Sequence, residues 1–295
     1  MLKLRGRALN EALWGYAMVA PTLLLLALFS YLALGASFYI SLTDWEILIP
    51  AHWIGLRNYA NLLQDKVFLQ SLWNSARYVL LSIPIAQSLA LLLALVLNTN
   101  LRGRTLWRLV YFLPVLTMPV AVAVVWKWIF SPAFGPLASL FELVGLKPLN
   151  WLTNVDLALW SIIIINIWLG IGYNMVIMLA GLQNIPRDYY EAAQVDGART
   201  WAQFRNITLP LLTPTLFFTL ITSFIGGLQL FDMVYIMTKG GPLNSTRTVV
   251  LHIYEEGIQA FRAGNASAAA WILFVIIMIV TLVQFRMQTR WVHYE

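Results

Sequence analysis

Residues 191–210 read EAAQVDGARTWAQFRNITLP, and this polar stretch joins two long segments that carry no charge. The pattern within it is Glu-Ala-Ala, three residues, a glycine, nine residues, and then Ile-x-Leu-Pro. A polar segment of this kind between two apolar ones predicts a docking surface for a soluble partner. No other part of the chain has an obvious means of capturing energy, so we expect the membrane half of a machine whose motor is a separate chain.

The rest of the chain has the composition of a membrane protein. Only 11% of its residues are charged, against roughly 25% in ordinary proteins. Six runs of at least 18 residues lack Asp, Glu, Lys and Arg, and each can hold a helix of about 20 residues, the length that crosses a bilayer. Backbone groups in lipid must pair within their own segment, so we expect an all-α integral membrane protein. The predicted spans are 13–41, 73–97, 106–129, 157–182, 210–237 and 268–285, in a single transmembrane domain over residues 1–295.

The basic residues predict the orientation in the membrane. With the N-terminus inside, the inside segments hold 11 basic and five acidic residues, whereas the outside segments hold eight of each. Because positive residues accumulate on the cytoplasmic side, both termini are expected to be cytoplasmic. The net charge of +6 then reflects topology, and nothing indicates binding to nucleic acid. The inside basic residues are Lys3, Arg5, Arg7, Arg102, Arg104, Arg108, Arg187, Arg199, Arg205, Arg286 and Arg290.

Local signals predict the shape of the coupling segment, which we define as residues 186–210. Pro186 favours a helix start, and Gly197 favours a helix end followed by a turn of the chain. Apolar residues spaced three apart within 199–207 predict a second short helix. Pro210 is then expected to open the fifth span. Two short helices at an angle would form a rigid knob on the membrane face.

The third predicted span contains two prolines, Pro114 and Pro119. Two prolines in one membrane helix indicate a kink. The sequence leaves open whether this kink serves helix packing or gating.

The pattern in residues 191–210 resembles the EAA loop of bacterial ABC importer permeases. The surrounding motifs are similar to those of carbohydrate-uptake permeases of the MalF and UgpA type, over nearly the whole chain. These motifs are LTDW at 42–45, GLRNY at 55–59, GLQNIP at 181–186 and GGPLNST at 240–246. The resemblance implies the type I importer permease fold, also called MetI-like, with six transmembrane helices. It also implies that the contact with the ATPase is formed by Glu191, Ala192, Ala193, Asp196, Gly197, Ile207, Leu209 and Pro210.

An obligate complex follows from the same resemblance. A second, similar permease chain would complete the pathway, and two copies of an ATPase subunit would bind from the cytoplasm. A binding protein on the outside would deliver the substrate. ATP and magnesium would be bound by the ATPase, so no cofactor is expected in this chain. The expected location is the cytoplasmic membrane of a bacterium or archaeon.

Polar residues within the spans mark a candidate substrate path. Asn166, Gly170 and Asn174 share one face of the fourth span, because they are four residues apart. Small and hydroxyl residues recur every four positions in the fifth span, from Thr215 to Gly227. Such residues also serve helix packing in membranes, and that alternative stays open. The candidate path residues are Trp168, Gly170, Tyr173, Asn174, Ser223, Gly227 and Gln229; the stretch at 168–170 resembles a sugar-contacting stretch of the same family.

Other functional classes find little support. The chain has no Gly-Lys dipeptide, no HExxH, no GxSxG and no cysteine, so an enzyme is not expected. The histidines His52, His252 and His293 are predicted to be surface residues. An ion-coupled secondary transporter is one alternative, but such carriers place ionisable groups within the membrane, and the six apolar runs hold none. A glycerol-3-phosphate permease is another; the absence of cations in the spans favours a neutral sugar, oligosaccharide or glycoside.

Overall fold

The computed structural model describes residues 2–99 and 101–292, with side chains for 10–99 and 101–292. Over these residues the protein is helical, and its β pairing is one bridge between Thr43 and Trp53. The α-helices in chain order are α1 (Leu2–Leu26), α2 (Leu32–Ser41), α3 (Arg57–Leu62), α4 (Lys66–Leu97), α5 (Arg104–Phe112), α6 (Pro119–Ile129), α7 (Pro136–Leu143), α8 (Val155–Gln183), α9 (Arg187–Val195), α10 (Thr200–Gln203), α11 (Leu209–Leu228), α12 (Asp232–Met237), α13 (Val249–Tyr254) and α14 (Ala263–Gln288).

Two compact units divide the chain. The first comprises residues up to 62 together with 254–271, and the second comprises residues 63–253 together with those from 272 onward. The expectation of one transmembrane domain over the whole chain stays a prediction. The predictions that involve the side chains of Lys3, Arg5 and Arg7, and those that involve His293, lie outside the described residues.

Long apolar helices confirm the predicted fold class. Five are long and apolar enough to cross a membrane, and a sixth span results if one sharply bent pair is counted as one. The five are Asn10–Ser41, Lys66–Leu97, Val155–Gln183, Thr200–Met237 and Ala263–Gln288, and the bent pair is Arg104–Leu116 with Pro119–Ile129. The prediction from charge-free runs therefore located every one of these segments.

The third span is broken rather than gently kinked. Its two halves meet at an angle of 98°. Met118 is extended, with φ −64° and ψ 127°, because the ring of Pro119 disfavours a helical conformation in the residue before it. Pro119 also lacks the N–H that would continue the helix, so it begins α6 instead. The predicted kink is confirmed, and it is much sharper than a kink within one helix.

The helix ends extend beyond the charge-free runs. α4 begins at Lys66 and not at about residue 73, because the Asp65 side chain accepts a hydrogen bond from the Val67 N–H at 2.8 Å and caps the helix. Asn154 caps α8 in the same way, accepting from the Asp156 N–H at 2.8 Å. A prediction that counts only uncharged residues therefore makes the helix too short. The charged residues near its ends are still part of the helix.

α4, α8 and α11 form the core of the second unit. Their buried cluster comprises Ala90, Ala94, Leu97, Met175, Met178, Leu179, Leu182, Ile185 and Leu212. Small residues allow close approach: a Cβ added to Gly172 would overlap the carbonyl oxygen of Tyr111 in α5. Because the last turns of α4 and α8 pack beside the first turn of α11, the turn after α4 and the coupling segment lie at the same end of this unit.

His252 corrects a prediction made from the sequence. It was expected at the surface, but it is only 2% exposed and its ring lies 5.3 Å from the ring of Phe68. The residue follows a turn-rich segment that is itself packed on α4, where the Asn74 side chain donates to the Asn244 and Arg247 carbonyl oxygens at 2.7 and 3.0 Å. Hydropathy does not reveal this burial, because the covering residues are distant in sequence.

The first unit contains a compact arrangement around Asn58. The Asn58 side chain donates hydrogen bonds to the carbonyl oxygens of Ser41 and Thr43 at 2.9 and 2.7 Å. Nearby, the His52 N–H donates to Asp44 Oδ1 at 2.7 Å and lowers the pKa of this carboxyl group. These bonds order the residues that follow α2.

Candidate functional site

The coupling segment projects as a short helix with an exposed outer face. α9 (Arg187–Val195) starts after Pro186, as predicted, and Asp196 caps its C-terminal end. Gly197 has φ 77°, the left-handed conformation that glycine adopts without strain. Its N–H donates to the Gln194 carbonyl at 3.0 Å, and the Ala198 N–H donates to the Ala193 carbonyl at 2.8 Å. These bonds satisfy the last carbonyls of the helix and turn the chain sharply.

The second half of the coupling segment differs from the prediction. No separate short helix ends before Pro210; instead α10 (Thr200–Gln203) continues through a π turn, Phe204–Thr208, directly into α11. In the π turn the Leu209 N–H bonds to the Phe204 carbonyl, five residues back. A wider turn just before a proline accommodates the missing N–H and the ring of Pro210. The fifth span therefore extends as one helical rod into the coupling segment.

Two contacts attach α9 to this rod. Tyr190 and Ile207 both pack against the buried cluster of α4, α8 and α11. The Tyr190 hydroxyl lies 3.0 Å from the Thr208 hydroxyl oxygen, across the base of the segment. Packed side chains and one hydrogen bond therefore connect α9 to the first turns of α11.

The outer face of the coupling segment combines acidic, basic and apolar groups, since Arg187, Arg199 and Arg205 are exposed as well. Glu191 and Asp196 are exposed, and so are Val195 at 89% and Trp201 at 70%. Exposed apolar side chains beside charged ones are typical of an interaction surface. Of the predicted contact residues, Glu191, Ala192, Asp196 and Gly197 are exposed, whereas Ala193, Ile207, Leu209 and Pro210 are half-buried and serve the base of the segment.

A second feature is a cavity that lies near the middle of α4 and α8 and at the C-terminal end of α11. Its volume is about 260 Å³. It is lined by Tyr78, Ser82, Ile83, Ala86, Asn166, Ile167, Gly170, Tyr173, Asn174, Thr222, Ser223, Gly226, Gly227 and Leu230. Each helix contributes residues at intervals of three or four, so each presents one face to the cavity.

The polar groups of the cavity are hydroxyls and amides, and its lining contains no charged residue. Asn174 is buried within α8, and Tyr173 beside it is largely exposed. The Asn166 amide donates to the Ile162 carbonyl at 2.9 Å, so its amide oxygen remains as an acceptor. Such a lining suits an uncharged molecule that offers hydroxyl groups and an apolar ring face.

Most of the predicted path residues lie together in this cavity. Gly170, Tyr173, Asn174, Ser223 and Gly227 line it. Trp168 does not: its ring packs edge-on against Trp126, with ring centroids 5.6 Å apart. Gln229 does not line it either, because it caps the C-terminal end of α11 and is exposed.

The sequence analysis missed the contribution of α4. Tyr78 and Ser82 lie four residues apart on this helix and face Asn166 and Gly170 across the cavity. The same four-residue spacing that drew attention to α8 was present here. The next polar residue of α4 is Gln87, five residues after Ser82 and therefore outside this spacing.

The family of the chain agrees with this architecture. Residues 70–293 match the family described as binding-protein-dependent transport system inner membrane component. The chain belongs to this family of multi-pass membrane transport subunits. The matched region contains both the cavity and the coupling segment.

Several relatives of known name match over almost their full length. A probable ABC transporter permease protein of Bacillus subtilis, YesP, is 38% identical over 291 residues, covering 97% of this chain and 94% of that protein. The lactose transport system permease protein LacF of Rhizobium radiobacter is 38% identical, covering 92% and 91%. The trehalose/maltose transport system permease protein MalF of Thermococcus litoralis is 34% identical, covering 93% of each.

A solved structure shares the fold. A chain of a bacterial ABC transporter involved in the import of the acidic polysaccharide alginate superposes with a TM-score of 0.85 and 25% identity, covering 96% of this chain and 98% of that one. The MetI-like permease fold predicted from the sequence is therefore confirmed, and the chain is a transport subunit.

Proposed function

We propose that this protein is the permease subunit of an ATP-driven importer and that a neutral sugar, oligosaccharide or glycoside occupies the cavity of α4, α8 and α11. The observation that carries the proposal is the cavity lining itself, in which hydroxyl and amide groups meet aromatic and aliphatic surface without a charge. Hydroxyls of a sugar pair with the former, and its C–H faces pack on the latter. Relatives that transport lactose or trehalose and maltose support the same substrate class.

A phosphorylated substrate is the competing possibility within this family. A relative from Agrobacterium fabrum, 31% identical, is a permease protein for sn-glycerol-3-phosphate. A phosphate group would require cationic or multiple N–H donors, and none of the residues around the cavity is Arg or Lys. The proposal therefore favours a sugar.

The coupling segment is the proposed contact with the motor. Its exposed face of charged and apolar side chains suits a cleft in an ATPase subunit, and its continuity with α11 would carry motion to the cavity wall. In the assembly we propose, a second permease chain, two ATPase subunits and an outside binding protein complete the importer. ATP and magnesium reside in the ATPase. The N- and C-termini are then cytoplasmic.

Uptake by the reconstituted complex tests the proposal. The tagged full chain, purified from its source cells with its companions, is placed in liposomes with the binding protein. Radiolabelled maltose, trehalose, lactose and glycerol 3-phosphate are offered separately, with and without ATP. We expect ATP-dependent accumulation of a sugar and none of glycerol 3-phosphate. Accumulation driven by a proton or sodium gradient alone would contradict the proposal.

A pair of variants on α8 links uptake to the cavity. Asn174→Leu removes a lining amide and is expected to raise the apparent KM about tenfold, since a lost hydrogen bond to substrate is worth about 1 to 2 kcal/mol. Ser161→Ala is the matched control, because Ser161 is equally buried in α8 but donates to the Leu157 carbonyl at 3.0 Å, away from the cavity. An equal change in apparent KM in both variants would show that the cavity is not part of the substrate path.

A further inference from the structure

A buried polar cluster lies against the cavity wall. It comprises Gln87, Thr219 and Ser223, and of these Ser223 also lines the cavity. Its centre is Gln87 in α4, which is only 7% exposed. Gln87 follows Ala86 and faces Thr219 and Ser223 of α11, and both Ala86 and Ser223 line the cavity. A primary amide in the middle of a membrane helix costs free energy unless each of its groups is paired.

Every group of the Gln87 amide is paired. Gln87 Nε2 donates to the Thr219 carbonyl oxygen and to Ser223 Oγ, each at 3.0 Å. Gln87 Oε1 accepts from Thr219 Oγ1 at 3.1 Å, through a proton that Thr219 shares with the Leu216 carbonyl oxygen at 3.0 Å. Both amide protons are used in these bonds, so Ser223 Oγ must be the acceptor in its bond with Gln87.

The consequence falls on Ser223. Its oxygen is the acceptor in the bond from Gln87, so its own proton must be donated elsewhere. A helical serine usually donates to the carbonyl four residues earlier, which here is Thr219. That carbonyl accepts from Gln87 Nε2 at 3.0 Å, whereas the single Thr222 hydroxyl proton lies closer to the Phe218 carbonyl oxygen, at 2.9 Å, than to the Thr219 oxygen, at 3.2 Å. Among the described residues, no acceptor receives the Ser223 proton, and the hydroxyl borders the cavity.

We propose that Gln87 is a positioning residue for the cavity: its amide holds Ser223 as an acceptor and thereby directs the Ser223 hydroxyl proton to an oxygen of the molecule bound there. This inference rests on the proposed function for the identity of that molecule. It adds a requirement on the ligand, which must present an acceptor oxygen, such as a hydroxyl or ring oxygen, at this point of α11.

A simple packing role for Gln87 makes different predictions. If the amide only joined α4 to α11, its loss would change the whole cavity and would act independently of the Ser223 hydroxyl. If it acts through Ser223, its loss should change that one group and have no further effect once Ser223 lacks a hydroxyl. The two roles are therefore separable by a local probe and by a double-mutant cycle.

A thiol probe tests the local effect without any knowledge of the substrate. The chain has no cysteine, so Ser223→Cys introduces its only thiol. The rate of reaction with 2-aminoethyl methanethiosulfonate is read on this chain in membrane vesicles that contain the assembled complex. An N–H donor stabilises the reactive thiolate, so adding Gln87→Met, which keeps the side-chain length and removes the donor, is expected to slow the reaction about fivefold.

Gly226→Cys is the matched control for this probe. Gly226 lines the same cavity, and an added Cβ meets no heavy atom within 4 Å. Its reaction rate should change less than about twofold on adding Gln87→Met, because it has no bond to Gln87. Equal slowing at both positions would indicate a general change of the cavity and would overturn the inference, as would an unchanged rate for Ser223→Cys. If the Gln87→Met variant is not inserted into the membrane, Gln87→Leu serves as a second variant that lacks the N–H donor.

The double-mutant cycle tests the effect on the ligand. Apparent KM is measured for ATP-dependent uptake of radiolabelled maltose, trehalose and lactose. Gln87→Met and Ser223→Ala are each expected to raise KM about fivefold with little change in maximal rate, and the double variant should equal the single ones. If the fold increases in KM of the two single variants multiply in the double variant, Gln87 has only a packing role. If the wild-type complex carries none of these sugars, the proposed substrate class fails, and the thiol probe still decides the role of Gln87.

Discussion

The coupling segment and the cavity are both polar regions set among apolar helices, yet they handle polar groups in opposite ways. In the coupling segment the charged residues Glu191 and Asp196 are exposed and lie beside exposed Val195 and Trp201. In the cavity wall the polar groups are neutral, and behind them Gln87 and Thr219 are bonded to each other. This difference is the basis for proposing that a macromolecular partner binds the first region and a small uncharged ligand binds the second.

Glycines sharpen this contrast. Gly197 has φ 77° and open space around it, so its role is the turn of the backbone. Gly172 has an ordinary helical conformation, but an added Cβ would overlap the Tyr111 carbonyl, so its role is close helix packing. Gly197 thus shapes the surface of the coupling segment, whereas Gly172 allows α8 to pack closely against α5.

The largest expected effect is that of Gly197→Pro. Proline is confined to φ near −65° and cannot adopt the left-handed conformation, so the turn after α9 must change. Transport should fall more than about twentyfold, as expected for a loss of proper positioning. Membrane insertion should be retained, because the cluster of α4, α8 and α11 is untouched. Uptake assays combined with co-purification of the ATPase measure both.

Gly103 provides the matched position for that variant. It has φ 75°, an added Cβ would meet no described atom within 4 Å, and it lies in the turn before α5, outside the coupling segment. Because Gly103→Pro imposes the same backbone conflict at another turn, transport should fall much less, and ATPase co-purification should be unchanged. Normal transport by Gly197→Pro with intact ATPase assembly would contradict the coupling role.

The next effect concerns stability and is expected for Gly172→Ala. The added methyl would push α8 from α5, and overpacking of this kind costs about 1–3 kcal/mol. We expect a lower Tm in detergent, measured by differential scanning fluorimetry. Gly170→Ala, two residues away, is the control, because a Cβ there meets no atom within 4 Å. Equal Tm values for the two variants would show that the approach of α8 to α5 does not limit stability.

Charge reversal on the coupling segment should have a smaller effect than the proline. Glu191→Lys reverses an exposed charge at the position expected to meet the motor, and we expect transport to fall about fivefold, since an exposed charge pair is worth up to about 1 kcal/mol. Asp188→Lys in the same helix controls for net charge. The ratio of ATP hydrolysed to sugar accumulated is the measurement. Equal ratios for both variants would argue against a specific role for Glu191.

The smallest effect is expected for Tyr190→Phe. The change removes the hydroxyl that lies 3.0 Å from the Thr208 hydroxyl and leaves the packing of the ring in place. One such hydrogen bond is worth about 1 kcal/mol. Hydrogen exchange should become faster by about fivefold in α9 and stay unchanged in α8. Faster exchange in both helices would mean that the hydroxyl supports the whole core.

Much of the fold was predictable from the chain. Runs without charge located the membrane helices, because hydropathy and length are local properties and a backbone in lipid must form helices. The helix end at Gly197 and the break at Pro119 also followed from the conformations that these residues allow. Near charged residues the predicted helices began too late or ended too early, because a charge does not by itself end a helix.

The candidate cavity was only partly predictable. Spacing in α8 and α11 identified five of its lining residues, because residues four apart share a helix face. The same rule does not tell which faces meet, and it did not find Tyr78 and Ser82. Trp168, which was included because the stretch at 168–170 resembles a sugar-contacting stretch, packs on Trp126.

By itself, then, the sequence determined where helices form, where they end and which surfaces are polar, because these depend on a few neighbouring residues. Only the tertiary structure decided the 98° angle of the third span, the burial of His252, the continuity of the fifth span through Pro210, and the pairing of Gln87 with residues more than a hundred positions away. The physical reason is that contacts between distant segments are set by how helices pack, and packing is a property of the assembled surfaces and not of any one stretch of chain.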